Sequence, residues 1–208
     1  WWRSVYDSQN AYANECFVDE LAQTLNVDPV QYRLQLLKKS PRHTKVLQLS
    51  AKEAGWGKAI EKDHYQGVSC HASFGTYVAQ VAEVSVDNEG VVHVHRVVCA
   101  VDCGQAVSPT TIKAQMEGSI VYGLSATLNG EITIENGAVK QSNFHEFEVL
   151  RMDQMPKIDV HIINSSEAPS GVGEPGLPPI APAVANAVFA ATGIRVRKLP
   201  IKPENLRS

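Results

Sequence analysis

No run of apolar residues in this chain approaches the roughly 18 that a membrane-spanning helix needs, and the formal charge of only −3 leaves no basic field to draw in nucleic acid. Neither a membrane nor a nucleic acid is implied as a partner. Cysteine is scarce as well: Cys16, Cys70, Cys99 and Cys103 lie among apolar or small residues, too few and too scattered for a disulfide framework in 208 residues. Cys99-x-x-x-Cys103 has the spacing of two zinc ligands, but no second, similarly spaced pair exists to complete a structural site. The four are read as buried, inert thiols, and no metal ligand set is assigned. The chain also lacks an initiating Met, a charged n-region and a signal-like apolar segment, opening on Trp1-Trp2-Arg3. Such a start reads as a cut in a longer polypeptide and leaves the compartment unread.

With 44% hydrophobic and 20% charged residues, the chain has the balance of an ordinary globular domain. Residues 11–25 place Cys16, Phe17, Leu21 and Leu25 at helical spacing, with Asn26 as a stop. Asp28-Pro29 reads as the N-cap and first-turn proline of a second helix to about Lys39, and a third is expected over 44–54 before Gly55. From Gly67 the pattern turns β-rich, with strands expected at 67–74, 76–86 and 91–101, the last two joined by Asp87-Asn88-Glu89-Gly90. Ser108 as cap and Pro109 as first residue open a helix to about 128, and 131–141 reads as a hairpin turning at Asn136-Gly137. A strand at 158–163, a loop at about 164–180 and a small-residue helix stopped by Gly193 complete an α+β fold of mixed-sheet hairpins with packed helices.

Gly171-Val172-Gly173-Glu174-Pro175-Gly176 fits G-x-G-x-x-G, yet a dinucleotide fingerprint needs a strand running directly into the glycines and an acidic residue about 20 positions later. Polar, turn-forming residues precede it, and "RVRKLP" follows at that distance. What stands out instead is Glu174, the one charge between Ala168 and Ile194. It either accepts backbone N–H groups at the start of the final helix as a cap, or points into an apolar cavity where desolvation raises its pKa toward that of a general base. The residues alone leave both open. Three weaker patterns carry no site: His93-x-His95 lacks a third metal ligand, Glu146 and Glu148 fit a solvated face, and Gly123-Leu124-Ser125-Ala126-Thr127 lacks the last glycine of a nucleophile elbow.

The segment "GVGEPGLPPIAPAVANAVFAATG" followed by "IRVRKLP", with "AQMEGSIVYGLSATLNGEITIENGAVKQSNFHEFEVLRM", "WRSV" and "SQNAYANECFVDELA", resembles the carboxy-terminal part of molybdenum hydroxylase large subunits, the family of xanthine oxidases and aldehyde oxidoreductases. The resemblance implies that residues 1–208 are the C-terminal portion of a molybdopterin-binding catalytic subunit. It implies Glu174 as general base in a hydroxylation of N-heterocycles, or oxidation of aldehydes, that takes its oxygen from water. Gln115 and Gly118 of the family's Q-x-E-G helix start would contact the pterin cofactor, for which the resemblance also allows a cytosine dinucleotide form. Gly171, Gly173 and Arg3 would join that contact, and Val5 would border the substrate pocket. Tyr6 stands where the family has a small glycine. The implied partners are the rest of the large subunit, a small subunit carrying 2Fe–2S clusters, and a small aromatic heterocycle or aldehyde. The competing reading is a non-catalytic binding or scaffold domain that keeps the fold. The stretch "LPPIAPAVANAVF", with Trp1 and Trp2, is the expected apolar surface toward missing segments.

Overall fold

In the computed structural model, residues 1–206 are described. The elements run α1 (Asp7–Thr24), α2 (Pro29–Leu36), α3 (Pro41–Ala54), β1 (Tyr65–Ser73), β2 (Thr76–Val86), β3 (Val92–Asp102), α4 (Pro109–Leu128), the two-residue strands β4 (Ile134–Glu135) and β5 (Ala138–Val139), β6 (Lys157–Ile162) and α5 (Ile180–Thr192). The main sheet has the order β1-β2-β3-β6, antiparallel except for the parallel pair β3–β6. Successive residues of β3 serve opposite faces: Val97, Cys99 and Val101 pack toward α4 and α5, while Val98 and Ala100 pack toward α3. A sheet covered on both faces explains why "VVCAV" is apolar without alternation.

Local signals placed most boundaries. Asp28 accepts the Gln31 N–H at 2.9 Å with Pro29 in the first turn of α2, and Gly55 and Gly193 end α3 and α5 in the left-handed region. Four expectations need correction. Helix α1 begins at Asp7, four residues before Ala11, and α2 stops at Leu36. Ser108 stands at the N-cap of α4, but its hydroxyl pairs with the Thr111 hydroxyl at 2.8 Å and caps no backbone N–H. The fourth correction concerns "LPPIAPAVANAVF". Apart from Ala181 and the half-buried Phe189, it is buried, because small side chains let α5 lie directly on the sheet. A Cβ at Gly67 of β1 would stand 2.2 Å from the Ala183 carbonyl oxygen. Trp1 and Trp2 are exposed as expected.

All four cysteines are free and buried. Burial pushes the thiols of Cys16 and Cys99 up to about 12 and that of Cys70 well above its ordinary value, which keeps them protonated and unreactive.

One buried polar network sets where the chain's first residues lie. Glu15 of α1 accepts from Arg33 Nε of α2 and from the Cys70 N–H of β1, each at 2.8 Å. Asp19, one turn on, pairs with Arg195 at 2.7 Å, and Asn186 of α5 donates to the Glu15 carbonyl at 3.4 Å and to the Val68 carbonyl at 3.1 Å. Helix α1 is thereby fastened to α2, β1 and α5, and the segment before it is delivered to the start of the 171–176 loop.

Candidate functional site

Three segments far apart in sequence meet: residues 3–5 ahead of α1, one face of α4, and the loop 171–176 between β6 and α5. The backbone at Ser4 (φ 71) and Val5 (φ 49) is left-handed, which turns the chain sharply into α1. That turn presents the Ser4 N–H to Glu174 Oε2 at 2.8 Å, while the Ser4 hydroxyl donates to the Glu174 carbonyl at 2.8 Å. Arg3 Nε donates to the Gly173 carbonyl at 2.7 Å, and its Nη2 donates to Gln115 Oε1 at 2.9 Å. Arg3, Gln115, Gly173 and Glu174 thus form one connected set. Gly118, one turn beyond Gln115 on α4, faces Arg3 Nη1.

The capping alternative for Glu174 is overturned. Helix α5 starts at Ile180 with Pro179 at its N-cap, and the Glu174 side chain reaches back to Ser4 instead. The apolar-cavity alternative also fails in its simple form. The neighbouring cavity of about 490 Å³ is lined by Trp2, Tyr12, Gly123, Leu177, Ile180 and Leu199, without Glu174 or Val5. Glu174 is half-buried, and Oε1 makes no hydrogen bond among the described residues. One carboxylate oxygen is fixed by the chain; the other is unspent.

Gln115 is the seventh residue of α4, not its start, so it contributes its side-chain amide rather than free helix N–H groups. With Oε1 held by Arg3, its amide N–H₂ has no partner among the described residues. Burial pushes the Arg3 guanidinium below its ordinary pKa, and the nearby Glu174 carboxylate and Tyr122 pull it back up. No carboxylate pairs directly with Arg3 among the described residues, and its Nη1 is unspent. Val5 is half-buried beside this set, and the Tyr6 side chain is exposed.

The loop is not a dinucleotide turn. Strand β6 ends at Ile162, well ahead of Gly171, and α5 begins only at Ile180, so the glycines do not run directly from strand into helix. Gly171 and Gly173 are exposed; a Cβ at Gly173 would meet nothing within 4 Å, and one at Gly171 only Phe74 at 4.0 Å. Gly176 differs, since a Cβ there would stand 2.9 Å from Ser119 and 3.0 Å from Met116, against α4. The first two glycines therefore leave backbone open to a ligand, and the third seats the loop on the helix.

Several supporting residues went unread in the sequence. Gln80, fully buried on β2, donates to the Gly176 carbonyl at 2.7 Å. Thr76 Oγ1 donates to the Gly171 carbonyl at 2.7 Å. Arg42 of α3 clamps Asp102 at 2.9 and 2.7 Å, and Asp102 accepts the Gly104 N–H at 3.0 Å. An amide inside the apolar run "TYVAQVAEVSV" was a visible signal; the reach of Ser4 across the chain was not. Elsewhere, His93 pairs with Asp87 at 3.1 Å and His95 with Ser85 at 2.7 Å. No group of three metal-ligating side chains occurs among the described residues.

Comparison with known proteins identifies the family of the chain. A sequence model described as the molybdopterin cofactor-binding domain matches residues 11–156, which include Gln115 and Gly118. The β subunit of isoquinoline 1-oxidoreductase from Brevundimonas diminuta is 39% identical over 97% of this chain and 26% of that protein. The membrane-bound pyrroloquinoline-quinone aldehyde dehydrogenase of Gluconacetobacter polyoxogenes is 34% identical over 99% of this chain and 29% of that protein. The chain therefore spans between a quarter and a third of the length of these curated relatives. Among solved structures, the aldehyde oxidoreductase from Desulfovibrio gigas shares the fold, with a TM-score of 0.72 over 98% of this chain and 41% of that one at 16% identity. The chain belongs to the molybdopterin cofactor-binding domain family of molybdenum-dependent aldehyde and heterocycle oxidoreductases.

Proposed function

We propose that this domain carries the general base and part of the cofactor cradle of a molybdenum hydroxylase, with Glu174 as the base. The observation that carries the proposal is the split use of the Glu174 carboxylate: Oε2 is held by the Ser4 N–H at 2.8 Å and Oε1 is free to take a proton. A base must be both aimed and available. The residues also fit an anionic pterin. Gly118, Gly171 and Gly173 present uncovered backbone, while Arg3 Nη1 and the Gln115 amide are donors left over after their internal bonds are made. When bound, molybdenum supplies two-electron redox chemistry with oxygen drawn from water. This chain's own part is narrower: Arg3 and Gln115 orient the cofactor, and Glu174 Oε1 accepts the proton that water gives up as it becomes the attacking oxygen.

In the net reaction a substrate C–H and a water become C–OH, two protons and two electrons. No cluster-type run of cysteines is present in this chain to take the electrons, and 2Fe–2S clusters on a partner subunit are the proposed exit. The substrate is a small N-heterocycle or aldehyde, with Val5 near its pocket and the cytosine dinucleotide as the form of the pterin. The chain works within a longer subunit and is silent alone, since residues 3–5, α4 and one loop face the ligand from too few sides to enclose it.

The test is Glu174→Gln in the complete enzyme. The amide keeps size and polarity but takes no proton, so turnover should fall by about 10²- to 10⁴-fold with molybdenum retained. Near-unchanged turnover removes the base assignment and leaves a binding or scaffold role. Gln115→Ala should lower molybdenum content more than melting temperature, because Ala suits a helical position. Equal loss of both makes Gln115 a structural residue.

A further inference from the structure

The segment 132–155 leaves α4 and returns to β6 with few holds on the body of the domain, where Leu150 packs against the core and Phe147 lies against Gly130. Its regular structure is a hairpin of two residues per strand and two single 3₁₀ turns. Its hydrogen bonds are internal, such as the Thr133 N–H to Gln141 at 2.8 Å and the Ser142 N–H to Glu146 at 2.7 Å. Among the described residues only one bond joins it to the body, from the Leu150 N–H to Ser125 Oγ at 3.0 Å. Yet it exposes large apolar side chains along its length, with Ile134 74%, Phe144 91% and Met152 93% exposed, and Ile132 and Val149 exposed beside them. Between its end and the edge of β3 lies a cleft of about 560 Å³ lined in part by Val92, Leu128, Met155 and Ile201. A patch of this kind on a soluble protein marks a contact surface.

The occupant follows from three observations. Four carboxylates (Glu135, Glu146, Glu148, Asp153) stand against Lys140 and Arg151, so the arm is net acidic and suits an apolar surface edged with Lys and Arg. A second copy meeting it arm to arm would set those carboxylates against each other. The arm also lies within the matched 11–156 span, so it belongs to the shared domain, while about three quarters of the isoquinoline relative lies outside its match to this chain. We propose that residues 132–155 are a docking arm through which this domain seats on the remainder of a longer catalytic polypeptide, against an apolar surface edged with basic residues. The proposal rests on the reading that the domain works within a longer subunit.

Phe144→Cys and Met152→Cys, each in the complete large subunit purified without its iron–sulfur partner, test it. Labelling with N-ethylmaleimide is followed by peptide mapping, in the native state and in urea, at two protein concentrations. The expected result is native labelling slower than in urea by about tenfold or more at both positions, independent of concentration. Hydrogen exchange of wild-type peptides spanning 132–155 reads the same protection without any substitution. Labelling at the unfolded rate, or unprotected peptides, overturns the proposal. Protection that grows with concentration identifies a second copy instead, and protection that needs the small subunit identifies that partner; either also overturns it. Labelling is independent of turnover, so loss of the arm and loss of the Glu174 assignment are separately visible.

Discussion

The loop 164–179 and the arm 132–155 are both long irregular segments, and they behave oppositely. The loop is taken up along its length by residues distant in sequence: the Gln105 N–H reaches the Glu167 carbonyl, the Ser170 N–H reaches Cys103, Thr76 holds Gly171, Arg3 holds Gly173, Ser4 holds Glu174 and Gln80 holds Gly176. Its end, Pro175 to Pro179, is buried. The arm has one such bond and, Leu150 apart, leaves its large apolar side chains in solvent. Irregular backbone is thus held in place by donors and acceptors supplied from elsewhere, and where these are missing the segment is left open to the partner proposed for it. A catalytic carboxylate suits the first kind of segment and a docking surface the second.

Substitutions that loosen the loop should sharpen this contrast, and the largest effect is expected at Gly104. Its φ of +75° and a Cβ only 2.1 Å from the Ala168 carbonyl oxygen mean that Gly104→Ala must push the loop aside. We expect a loss of about 2–4 kcal/mol in urea unfolding. Gln80→Leu comes next, at about 1–3 kcal/mol, because the buried Gly176 carbonyl loses its donor; turnover should fall with it, since Gly176 is two residues from Glu174. A loss of stability without a loss of turnover would separate the loop from the chemistry.

A pH dependence should follow. Burial opposes ionisation of Asp102, but its bonds from Arg42 and Gly104 outweigh that and hold its carboxyl below the ordinary value. A depressed folded-state pKa gives stability that is present above the unfolded value, about pH 4, and lost as pH falls through the folded one. Acid unfolding of Asp102→Asn should accordingly be less steep below about pH 4 than that of the wild type. The smallest effects are expected at open positions: Gly173→Ala and Phe144→Ser should each change stability by no more than about 0.5 kcal/mol. Gly173→Ala should nonetheless lower molybdenum content, because its new methyl group would stand where the backbone is open.

Local chemistry was legible. Asp28-Pro29, Gly55 and Gly193 bound their helices as read, and the β-rich runs became the sheet, because caps and strand patterns are written within a few residues. Glu174 was visible as a lone charge between glycine and proline. Its partner was not, since the bond from Ser4 spans 170 residues and depends on how Glu15, Asp19 and Arg33 fasten α1. The apolar surface was misread for a physical reason. In "LPPIAPAVANAVF" the small residues fit α5 onto the sheet, whereas Glu146 and Glu148 stand on an exposed face, as read.

The most direct test of the account is the pH profile of kcat/KM for the complete enzyme and its Glu174→Gln variant. A base acts only when deprotonated, so the wild-type value should rise along an acid limb. The variant, low by about 10²- to 10⁴-fold, should be flat across that limb. A variant that keeps the wild-type limb would contradict the base assignment, and the proton would then be taken by a group other than Glu174.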